Sequence, residues 1–130
     1  MILTDGASIT ITIPDSLQWV DEYDWTTVAQ DVQRNIGGGI VVSESVVTAG
    51  RPITLVSGVS VWITKAVFDT LIAAMNIINK TYTLTVADGT TYSVIFNREN
   101  GTPVIGAPIF RQNVRANEAF YTVTLRLMEV

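Results

Sequence analysis

Short stretches of strict apolar–polar alternation run through most of the chain. From Ser8 to Ile13 the isoleucines 9, 11 and 13 take one face while Ser8, Thr10 and Thr12 take the other, and Pro14 closes the stretch. That period of two predicts a half-buried strand. Tyr121, Val123, Leu125 and Leu127 alternate with Thr122, Thr124, Arg126 and Met128, predicting a last strand tied into a sheet. Pro52–Val56, between Gly50 and Gly58, reads as another strand, and Val104–Phe110, interrupted by Gly106 and Pro108, as an edge or bulged one. Thr26–Val47 reads as a long hairpin. Its first arm is mostly polar with Val28 and Val32 as apolar points, its tip is Gly37-Gly38-Gly39, and its second arm is β-branched and apolar.

The segment Tyr82–Phe96 is also a hairpin, and burial fixes its register. A two-residue loop at Asp88-Gly89 would place Leu84 opposite Ser93, mixing apolar and polar residues on one face. A three-residue loop, Ala87-Asp88-Gly89, pairs Leu84 with Tyr92 and Tyr82 with Val94, and it puts Gly89 at the left-handed position that follows a type I turn. One helix is predicted. Thr64 can cap it, and Lys65–Asn79 follows with no Gly or Pro, with Val67, Phe68, Leu71, Ile72, Met75 and Ile78 on one face. Asn79 and Lys80 suit its C-terminus. Seven or eight strands and one helix without a βαβ rhythm give a mainly β fold, an antiparallel β-sandwich with one packed α-helix at about 64–79, in a single domain spanning 1–130.

Composition narrows the function. Apolar residues make up 48% of 130 positions but charged ones only 15%, which excludes disorder and leaves an uncharged surface suited to burial against other subunits. The net charge is −4, so a basic groove for nucleic acid is missing. There is no His and no Cys, which removes imidazole and thiol chemistry and nearly every zinc or copper site. The opening MILTDGASITITIP lacks the basic-then-apolar layout of a signal peptide, and no apolar run approaches the roughly 20 residues of a membrane span.

Four features invite a functional reading. The acidic aromatic segment 15–25 offers Asp15, Asp21, Glu22 and Asp24 as oxygen ligands for calcium and Trp19, Tyr23 and Trp25 as sugar-stacking rings. Its spacing lacks the alternating ligands and glycine of a calcium loop, so the plainer reading is a surface loop anchored by its tryptophans. Gly37–Gly39 is followed by Ile40-Val41-Val42 and not by Lys and Ser/Thr opening a helix, so it is a hairpin tip and not a phosphate cradle. Glu44, Asp69, Asp88, Glu99 and Glu118 are too scattered to form a catalytic pair. Arg34, Arg51, Arg98, Arg111, Arg115 and Arg126 outnumber Lys65 and Lys80, the bias of an interface. No enzyme, cofactor or metal is expected. The interface candidates are Trp19, Tyr23, Trp25, Gly37, Gly38, Gly39, Arg51, Arg111 and Arg115.

Several stretches in order resemble small tail proteins of long-tailed bacteriophages. They are the opening LTDG with its alternating strand, Trp19 and Trp25 in the acidic loop, and Gly50-Arg51-Pro52-Ile53-Thr54-Leu55. Trp62-Ile63-Thr64 before the helix, Tyr82–Thr85 with Ala87-Asp88-Gly89, and the ending Tyr121–Val130 complete the set. The layout is similar to the N-terminal domain of distal tail proteins. The resemblance implies a non-enzymatic virion component of the tail tip or baseplate, assembled in the host bacterial cytoplasm. It implies a ring of copies, commonly hexameric in such relatives, joining the tail tube to hub or tip proteins, with the Gly37–Gly39 hairpin helping to wall a channel. The second, C-terminal domain of the full distal tail protein has no counterpart here. The alternatives are a carbohydrate- or calcium-binding module using 15–25, and a tail terminator or tube-like protein.

Overall fold

A computed structural model describes residues 1–99, 101–109 and 119–130. Among these residues the fold is mainly β, with antiparallel pairing and one helix. The strands are β1 (Ile2–Thr4), β2 (Thr10–Thr12), β3 (Gln18–Trp19), β4 (Val28–Arg34), β5 (Ile40–Val46), β6 (Pro52–Val56) and β7 (Ile63–Thr64). After the helix α1 (Lys65–Met75) come β8 (Tyr82–Thr85), β9 (Thr91–Phe96), β10 (Val104–Pro108) and β11 (Phe120–Glu129). Nine strands form one sheet in the order β2-β1-β8-β9-β11-β6-β3, with β10 and β7 also on β11, while β4 and β5 pair only with each other.

The long β11 is the spine. Its alternation holds over its whole length: Tyr121, Val123, Leu125 and Leu127 are buried, opposite Ile63, Leu55, Ile53, Phe96 and Val104 on the flanking strands. The sheet folds over on itself, since Trp19 of β3 meets Tyr92 of β9 edge-on with ring centroids 5.6 Å apart, although two strands separate β3 from β9 in the sheet order. The ladder stays open, with β2 and β3 as edges.

The helix closes the core. Thr64 caps it as the sequence suggests, accepting a hydrogen bond from the Val67 N–H, and Leu71 and Ala74 are buried under it. Phe68 stacks on Tyr121 at 5.0 Å, over Gly106, where a Cβ would collide with the ring and with the Thr122 carbonyl oxygen. The Tyr82 hydroxyl donates to Ala74 O at 3.2 Å, and burial raises the pKa of this phenol.

Some expectations need correction. The helix ends at Met75 with Asn76 as its C-cap, one turn short of Asn79, and Ile78 is exposed. Asn79 is left-handed at φ 53°, and the Arg98 side chain donates to the carbonyls of Met75 and Ile77, so an arginine from elsewhere satisfies the helix end. Lys80 pairs instead with Asp5 at 2.9 Å. The alternating stretch 8–13 is strand only over Thr10–Thr12, and β1, β3 and β7 are strands of two or three residues too short to leave a period. The expected strand to Phe110 runs to Pro108, with Phe110 itself outside the described residues. The Tyr82–Phe96 hairpin has the expected register, Tyr82 opposite Val94 and Leu84 opposite Tyr92, with Gly89 at φ 89°.

Candidate assembly surface

The hairpin β4–β5 stands apart from the core. Its register runs from Val28 opposite Val46 to Arg34 opposite Ile40, and every residue from Thr26 to Val46 is exposed. Opposite residues share a face, and faces alternate along each strand. One face therefore carries Val28, Val32, Ile40, Val42 and Val46 together with Gln30, Glu44 and, nearest the tip, Arg34, and the other carries Ala29, Asp31, Gln33, Val41, Ser43 and Ser45. On the first face Gln30 Nε2 donates to Glu44 Oε1 at 2.7 Å, a cross-strand tie that occupies the one carboxylate there. This amphipathic division is hidden in the linear sequence, where the second arm looks apolar on both sides.

The tip is tight. Asn35 N–H donates to Gly39 O and Gly39 N–H to Asn35 Oδ1, which leaves Ile36-Gly37-Gly38 as the loop and Gly38 left-handed at φ 84°. The glycine run is thus one loop residue out of step with its expected role, because Gly39 already pairs. Ile36, a large apolar side chain, is fully exposed at the extremity. At the root, Val47 N–H donates to Thr27 O at 2.7 Å, and Gly50 N–H donates to Glu129 O at the end of β11.

The other sequence candidates separate. Trp19 turns inward, with the Arg51 guanidinium 4.7 Å from its ring centroid and Arg51 Nη2 donating to Glu22 O at 2.8 Å. Arg51 is thereby engaged within its own chain, holding the 15–25 segment to the sheet. Tyr23 is exposed with no ring partner among the described residues, while Trp25 lines a recess of about 230 Å³ at the hairpin root with Arg51, Tyr92 and Glu129. The three aromatics form no common stacking platform. The carboxylates disperse as well: Asp15 pairs with the Met1 amine, and Asp21 accepts from Thr54 N–H and Oγ1, both at 2.9 Å. Among the described residues no three acidic side chains converge on one point. Arg111 and Arg115 lie outside the described residues.

A second exposed apolar region was not singled out by the sequence. The outward face of β6, β11 and β10 presents Val56, Thr124 and Ile105 side by side, with Phe120 nearer the start of β11. Trp62 packs on Phe120 at 5.7 Å and donates its Nε1–H to Val59 O, and Val59, Trp62, Ile105 and Phe120 are all exposed. The signal that could reveal it is the outward set of β11, where Phe120, Thr122 and Thr124 precede the first charge at Arg126. Comparison with family models, curated proteins and solved structures returns no match.

Proposed function

We propose that the protein is a structural component of a bacteriophage tail tip or baseplate, acting by assembly into a ring that joins the tail tube to hub or tip proteins. The hairpin carries this reading. A two-stranded ribbon is marginal in water by itself, and this one holds five branched apolar side chains exposed on one face, uncovered among the described residues. Such an arm gains its stability from a neighbour. The light charge of the chain suits burial of its surface against neighbours. The phage setting rests on the resemblance of the ordered motifs alone.

The reading is tested in infected cells. An epitope-tagged chain should co-sediment with purified tails and label the tip in electron micrographs. A tagged, functional chain that never enters virions would remove the tail assignment. The sugar- or calcium-binding alternative gains nothing from the separated positions of Trp19, Tyr23 and Trp25.

A further inference from the structure

We infer that the hairpin's apolar face docks on the outward β6–β11–β10 face of a second copy, a head-to-tail contact. The inference rests on the ring reading and names the two surfaces that would make the ring. The acceptor is uncharged at Val56, Val59, Trp62, Ile105, Phe120 and Thr124, and it contains a depression of about 320 Å³ bordered by Val56, Val59, Ile105 and Thr124. Its three strands and the two of the hairpin can pack face to face as two sheets do, about 10 Å apart. From the exposures of their large side chains, the two surfaces together offer on the order of 1,000 Å², the floor for a specific interface.

Position decides the partner. The hairpin root sits at the Glu129 end of β11, while the acceptor lies around Phe120–Thr124, on the order of 20 Å away along the strand at about 3.3 Å per residue. The hairpin leaves its own acceptor uncovered, being exposed from end to end. Two unlike surfaces of one chain meet heterologously, and heterologous contacts build rings or filaments rather than closed dimers. Burying Val28, Val32, Ile40, Val42 and Val46 against Ile105 and Val59 removes both unprotected apolar areas at once.

Val42 and Ile105 are about half exposed, so Val42→Asp and Ile105→Asp should both fold, with circular dichroism and melting close to the native chain. By light scattering each variant alone should be a monomer at concentrations where the native chain is an oligomer. Each retains one intact surface, so their mixture should form a one-to-one pair, twice the monomer mass, and nothing larger. Because the chain has no cysteine, a Val42→Cys chain mixed with a distinguishable Ile105→Cys chain should cross-link between unlike chains under mild oxidation. An Ile105→Asp chain that keeps the native oligomer overturns the docking and leaves the ring reading standing. So does Val42→Cys linking chiefly to itself. A native chain that is monomeric at every concentration overturns both.

Discussion

Asp5 shows how much one side chain can organise. Its Oδ1 accepts hydrogen bonds from the N–H groups of Ala7, Ser8 and Ile9, and Lys80 lies at 2.9 Å from Oδ2, so the β1–β2 turn is built around one enclosed carboxylate. These donors hold its pKa well below the usual carboxylate range. A group depressed in the folded state stabilises above its unfolded pKa, near 4, and loses that contribution as pH falls toward the folded value. Asp5→Asn should therefore lower the melting temperature most at neutral pH, with the gap to the native chain closing below about pH 4. A gap that is constant from pH 7 to pH 3 would show that the ionised form is not what matters. Gly106 makes an opposite demand, for space: Gly106→Ala should cost on the order of 1–3 kcal/mol in urea denaturation, because Phe68 and the Thr122 carbonyl leave no room for a methyl. Arg51→Ala should cost about 1–2 kcal/mol through lost stacking on Trp19 and the lost bond to Glu22 O.

At the scale of elements, the hairpin is the part that stability does not require. Its strands add nothing to the buried core, and its root residues Thr27 and Val47 are already hydrogen-bonded neighbours. Replacing residues 28–46 by a short Gly-Ser linker should leave the melting temperature within a few degrees of native while abolishing self-association. A large loss of stability would mean that the arm belongs to the core. This element also shows what alternation can and cannot convey. The strand at Tyr121–Leu127 and the Tyr82–Phe96 register were legible because one face is buried, so a slip of one residue would be costly. The hairpin was legible as a hairpin, but its apolar face emerges only when cross-strand partners are known. The sequence extends the helix too far because Ile77 and Ile78 continue the apolar run, while the Arg98 side chain that meets its end comes from over twenty residues away. Trp19 and Arg51 read from sequence as contact residues and instead meet each other, since sequence gives no sign of which neighbour satisfies an aromatic–cation pair.

For the whole molecule, a folded core and an exposed arm divide the labour. The core buries one face of a nine-stranded sheet under one helix, and the arm and the outward β6–β11–β10 face remain as two exposed areas rich in apolar side chains. The central claim is that these surfaces bring copies together in a closed assembly. Native mass spectrometry of the purified full chain, over a series of concentrations, tests it most directly. The expected spectrum is dominated by one closed multiple of the 14.2 kDa chain, six copies being the number that the resemblance implies, with few intermediates. A spectrum of monomer alone up to millimolar chain would contradict the account.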